Sequence, residues 1–201
     1  MSENLHGNVP DSFPVALLII DMINDLEFPN GEKLLPAALE AAQNIAKLKC
    51  EARRLNIPVV YVNDNFGRWR SDFNEVVDHC LRDGVRGKPL AELLRPDPED
   101  YFVLKPKHSA FYMTTLDTLL EHLKAKRLIV TGISADVCVL LSASDAYMRE
   151  YDLHVPADCV ATDAPTHTQT ALAYVRRVLN ADTTPSDQLD LQELCRVVLA
   201  S

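Results

Sequence analysis

No apolar run in the 201 residues is longer than the six of Val15–Ile20, and a membrane-spanning helix needs ~20. A basic excess is missing too: 20 Lys and Arg stand against 29 Asp and Glu, a formal charge of -9. Nucleic acid and anionic lipid both require a basic face, so neither is an expected partner and a small molecule is. Cysteine is sparse and odd in number, with Cys50, Cys80, Cys138, Cys159 and Cys195 showing no CxxC spacing. That argues against a disulfide framework and a zinc site alike. There are only six glycines, and neither a Gly-rich phosphate loop nor GxGxxG follows the first apolar run, which disfavours nucleotide chemistry. The opening MSENLHGNVPDSF has no basic start and no apolar signal core, so a leader-free cytoplasmic protein is expected.

What is present is an ordinary globular composition, 47% hydrophobic and 24% charged. At this length one core suffices, so residues 1–201 are expected to form a single domain. Short apolar runs alternate with longer amphipathic ones, the pattern of a parallel sheet covered by helices on both faces. The runs predict strands at Val15–Ile20, 58–63, 101–104, 128–131 and 153–156, with a short one at 182–184. The helical spacing predicts helices over 36–55, 115–124, 137–150, 166–179 and 186–199. Between 64 and 100 the periodicity weakens and Gly, Pro and charge accumulate, which reads as a long excursion that carries function or a subunit contact. The charged run 82–88 within it reads as a solvated loop.

Ligands of open α/β sheets bind beyond the carboxyl ends of the strands. Asp21 follows the first strand in LLIIDMINDLEF, Asn63 and Asp64 the second in VVYVNDNFGRW, and Lys105 the third in YFVLKPKHSAF. Cys138 comes one short loop after the fourth, in LIVTGISADVCV. An acid, a base and a thiol therefore fall on one rim. If Asp136 caps the following helix, Cys138 lies in its first turn, where free N–H groups and the dipole favour a thiolate, and a nearby lysine would lower the thiol further. Lys105 and Lys107 are two apart, and the sequence pattern alone does not choose between them. Asn65, Phe66, Arg68, Trp69 and Tyr112 are candidate substrate contacts, with Arg68 suited to a carboxylate.

The blocks LLIIDMINDLEF, VLKPKHSAFYMTTLDTLL and LIVTGISADVCVLLSASDAYMREYDLHVPADCVAT resemble, in order, the signature blocks of the isochorismatase-like cysteine hydrolases, the superfamily of nicotinamidases and N-carbamoylsarcosine amidase. The resemblance implies a three-layer α/β/α sandwich on a mainly parallel six-stranded sheet of order 3-2-1-4-5-6. It implies Asp21 as general base and acid, Lys105 as the cation supporting the sulfur, and Cys138 as the nucleophile. It also implies a cis peptide between Ile133 and Ser134 that aims the Ser134 and Cys138 N–H groups into an oxyanion hole. The implied activity is hydrolysis of a C–N bond in a small amide or imide through a thioester, in a homo-oligomer.

Metal-dependent nicotinamidases carry an Asp-x-His pair after the second strand. Here Asp64 is followed by Asn65 and Phe66, so no metal and no other cofactor is expected, and nicotinamide becomes a doubtful substrate. Relatives that hydrolyse isochorismate without the cysteine work differently, and Cys138 sets this chain on the amidase side. The alternative is a catalytically idle scaffold or binding subunit. A phosphotransferase using Asp21 would want a second acid two residues on, where Ile23 stands.

Overall fold

The computed structural model describes residues 13–66 and 72–196. Six parallel strands form one sheet: β1 (Val15–Ile20), β2 (Val59–Asp64), β3 (Tyr101–Lys105), β4 (Arg127–Ile133), β5 (Asp152–His154) and β6 (Val160–Ala161). Their order is β3-β2-β1-β4-β5, with β6 bonded to β4. Every residue of β1 is buried, as its unbroken apolar run requires of a strand covered on both faces. Leu17, Ile19, Val59 and Tyr61 face a layer built from α1 (Gly31–Arg54), α2 (Phe73–Arg82) and α3 (Lys88–Leu93). Leu18, Ile20, Val60 and Val62 face the opposite layer, from α4 (Leu116–Leu123), α5 (Leu140–Tyr147) and α6 (Pro165–Val178). The three-layer sandwich follows from that alternation. No helix among the described residues is long and apolar enough to cross a membrane.

Four expectations change in detail. The sixth strand is Val160–Ala161 beside β4, while the 182–184 stretch contributes a single parallel bridge, Asp182 to His154 on β5. The helix expected over 186–199 divides into a 3-10 turn, Ser186–Gln188, and a short α7, Leu191–Leu194, with residues beyond 196 outside the described set. The excursion 64–100 contains α2 and α3. Asp72 starts α2 by accepting the Glu75 N–H at 2.9 Å, and Phe73 packs on Tyr61 and stacks on Phe102. The charged run 82–88 is exposed at Arg82, Asp83 and Gly84, as expected of a solvated loop, but fastened further on: Arg86 donates to the Leu26 carbonyl, and Gly87 N–H donates to Asp25 O at 2.8 Å. A Cβ on Gly87 would lie 1.7 Å from Asn24 O, so only glycine allows that approach.

A buried charge cluster sets where β3 begins. Lys49 of α1 reaches Asp100 at 2.7 Å, Asp97 at 2.9 Å and the Tyr61 hydroxyl at 3.0 Å. Tyr61 donates onward to Leu94 O at 2.8 Å, and burial pushes its phenol up to about 12. These bonds fix the loop that enters β3, and Lys105 stands at that strand's far end.

Gly132 permits the close β1–β4 approach that the site depends on. Its φ is 118°, and a Cβ there would lie 2.0 Å from Ile20 O. Gly132→Ala should cost ~2–4 kcal/mol in chemical denaturation, since strand backbone cannot give way. Gly84→Ala provides the contrast: its φ is 67° but nothing lies within 4 Å, so only the left-handed penalty of ~1–2 kcal/mol applies. Equal losses for the two would refute the clash.

Candidate active site

Three strand ends place the central side chains. Asp21 is the first residue after β1 and has a φ of 54°. Its Oδ1 accepts the Asp64 N–H at 2.8 Å, a bond that ties the ends of β1 and β2 together. Lys105 is the last residue of β3, paired in register with Asp64. Its side chain is 0% exposed, whereas Lys107, past the strand end, is exposed; burial therefore selects Lys105. Lys105 Nζ lies 2.9 Å from Asp21 Oδ2, 3.6 Å from Cys138 Sγ and 3.8 Å from Asp64 Oδ2.

Cys138 is half-buried in a wide π-type turn, Ala135–Val139, that precedes α5. The capping position belongs to Ser134, and Asp136 instead accepts the Ser134 hydroxyl. Ser134 O accepts from the N–H groups of Val137 at 3.2 Å and Val139 at 3.1 Å and passes over the Cys138 N–H between them. Such a one-turn widening alters which N–H groups are used internally. The peptide bond between Ile133 and Ser134 is cis.

The electrostatics differ from the thiolate that the sequence suggests. Burial is the largest influence on Cys138, followed by the negative charge of Asp21; Lys105 pulls the other way but loses, and the thiol is pushed up to about 12. Burial acts to lower Lys105, yet the charges beside it, Asp21 foremost, carry it above its ordinary value. Burial also raises Asp21, against the attraction of Lys105 and its hydrogen bonds. The resting centre is a neutral thiol facing a carboxylate–ammonium pair. It can move a proton from sulfur to Asp21 while Lys105 remains as counter-charge.

The suggested substrate contacts separate. Asn65 is buried and its N–H donates to Lys105 O at 3.1 Å. Phe66 is 42% exposed, with its N–H bound to Asp64 Oδ1 at 2.6 Å, and it brings no donor to the place of the Asp-x-His imidazole. Tyr112 is 53% exposed, and Arg68 and Trp69 lie outside the described residues. Among the described residues no group of three or more His, Cys, Asp or Glu converges as metal ligands. Asp64, 36% exposed, sits at the rim as a second carboxylate toward Lys105. Sequence reasoning overlooked His108, whose Nδ1 is 3.9 Å from Cys138 Sγ. Its position in KPKHSAF, three residues after Lys105, was the available signal.

A model of the isochorismatase domain matches residues 15–187. An uncharacterized isochorismatase family protein of Bacillus subtilis (strain 168), YaaI, is 41% identical over 87% of this chain and 95% of its own length. The ureidoacrylate amidohydrolase RutB of Methylorubrum extorquens (strain DSM 6343 / CIP 106787 / DM4) is 36% identical over 77% of this chain and 73% of its own. The crystal structure of N-carbamoylsarcosine amidase from Thermoplasma acidophilum superposes with a TM-score of 0.68 at 29% identity, covering 88% of this chain and 98% of that one.

Removing the cation should expose how the pair is balanced. Lys105→Met leaves the buried Asp21 carboxylate unpaired and should cost ~3–5 kcal/mol in denaturant unfolding. Asp21→Asn combined with Lys105→Met should recover much of that loss. If the double variant is as unstable as the sum of the singles, the two side chains are not coupled.

Proposed function

The chain belongs to the isochorismatase family of hydrolases, and from that premise we propose that it cleaves a C–N bond in a small amide, ureide or imide through a thioester on Cys138. The observation that carries this reading is the convergence of Asp21, Lys105 and Cys138, which follow or end β1, β3 and β4, at one edge of the parallel sheet in which β2 separates β3 from β1. The names of two relatives, a ureidoacrylate amidohydrolase and a carbamoylsarcosine amidase, support the substrate class.

In this reading Cys138 Sγ attacks the substrate carbonyl as its proton passes to Asp21. Lys105, 3.6 Å from the sulfur, stabilises the negative charge that develops there. The carbonyl oxygen becomes an oxyanion held by the N–H groups of Ser134 and Cys138, the kind of donor worth ~100- to 1,000-fold in rate. Asp21 returns its proton to the departing nitrogen as the C–N bond breaks. The thioester, or the thiocarbamate that a ureide leaves, is then hydrolysed by water, giving the carboxylic or carbamic acid and the free thiol. A thiol held near 12 suits this order of events, because the nucleophile is generated only when Asp21 accepts its proton.

Ammonia release from acetamide, nicotinamide and N-carbamoylglycine, and ring opening of succinimide to succinamate, provide the test. At least one ureide, amide or imide should be hydrolysed, and Cys138→Ala should lower that rate by more than ~1,000-fold while leaving the unfolding midpoint close to wild type. Full turnover in Cys138→Ala would contradict the mechanism. Turnover absent across the panel, together with inert Cys138, would favour a binding subunit.

A further inference from the structure

Two groups able to carry a proton lie beside Cys138 Sγ, and they differ in their access to solvent. Asp21 is buried, held by Lys105 at 2.9 Å and by the Asp64 N–H at 2.8 Å. His108 is exposed, and its Nδ1 lies 3.9 Å from the same sulfur. The imidazole is not there by accident of a loose loop. Ser109 donates its hydroxyl to Asp145 of α5, and Ala110 N–H donates to Ser142 Oγ at 2.9 Å. Ser142 Oγ in turn donates to Cys138 O at 2.6 Å. Thr114 closes the turn on Ala110 O at 2.6 Å, and the Arg149 guanidinium covers Phe111 at 4.8 Å. The turn that presents His108 is therefore stapled to the same helix start that presents Cys138.

We infer that His108 is a further catalytic residue, the base and then the acid of thioester hydrolysis. This rests on the cysteine-hydrolase reading above and deepens it. After the amine has left, water approaches the thioester from the open side, where His108 stands and Asp21 does not. His108 takes a proton from that water as its oxygen bonds to the acyl carbon. When the C–S bond breaks, the imidazolium hands this proton to the departing Cys138 sulfur, 3.9 Å away. Water and thioester become carboxylic acid and thiol, and His108 ends as it began. Asp21 thus serves the sulfur and nitrogen of the first half-reaction, and His108 the water and sulfur of the second. A base of this kind is worth typically ~100- to 10,000-fold.

The experiment compares wild type, His108→Gln and Cys138→Ala with 4-nitrophenyl acetate, an acyl donor whose leaving group needs no proton. The release of 4-nitrophenolate is followed through the first turnover and the steady state, and acetylation of Cys138 is read from intact-protein mass. His108→Gln should acylate at the wild-type initial rate, show a burst, accumulate acetyl-Cys138 and fall ~100-fold or more in steady-state rate. Hydroxylamine, which attacks a thioester without a base, should restore discharge of that acetyl group. Discharge from His108→Gln at the wild-type rate overturns the assignment, as does a burst that falls in parallel with the steady state. Nitrophenolate release that is absent from wild type, or that survives in Cys138→Ala, instead sinks the cysteine-hydrolase reading beneath it.

Discussion

Lys105 has no solvent contact, and an ammonium in that position persists only with a partner charge at hand. Asp21 supplies the partner at 2.9 Å. The constraint reaches outward from there. Asp21 has to leave β1 with a positive φ and take the Asp64 N–H, so the ends of β1 and β2 are locked before any substrate is considered. Cys138 then enters a field already fixed: an attracting cation at 3.6 Å and a repelling carboxylate beside the sulfur. Burial and Asp21 prevail over Lys105, and the sulfur keeps its proton at rest. In the proposed reaction the same pair separates proton from sulfur when a carbonyl arrives.

Much of the remaining structure serves to hold that pair in register. The Lys49 cluster fixes the entry to β3, and parallel pairing of β3 with β2 carries the position to Lys105. Gly132 lets β4 lie against Ile20 so that the segment after it reaches Asp21. The loop after Asp21 is clasped from the other side by Arg86, Gly87 and His79. The imidazole of His79 bridges Asp83 at 2.7 Å and Asp25 at 3.2 Å, which raises its affinity for a proton. The candidate site is thus an assembly of strand ends braced from both helical layers.

The sequence made legible what depends on short-range periodicity. Six unbroken apolar residues in β1 and the helical spacing of Ala38, Ala41, Ile45 and Leu48 in α1 are local signals, and both elements are where those signals point. Asp21 and Cys138 were legible because the ends of parallel strands share a rim, whereas the pattern left Lys105 and Lys107 open and burial separates them. What escaped depends on distant partners. Asp72 and Glu75 mark the start of α2, but its burial comes from Tyr61 and Phe102, outside any local window. Two residues of β6 are too short to leave a pattern. His108 acquires meaning only through a contact thirty residues along the chain. The helix-dipole argument for a thiolate failed for a related reason, because it counted the turn and the lysine but not burial and the carboxylate behind them.

The ionisation of Cys138 tests this account most directly. Iodoacetamide alkylation of Cys138, followed by peptide mass across the alkaline range, reads the thiolate fraction without needing a substrate. In wild type the rate should keep climbing far above the ordinary cysteine range, toward a midpoint of about 12. In Asp21→Asn the repelling charge is gone and Lys105 remains, so the midpoint should move down and alkylation near neutral pH should quicken. A wild-type thiol already ionised at neutral pH, or a midpoint indifferent to Asp21, would contradict the central claim that the Asp21–Lys105 pair governs the sulfur.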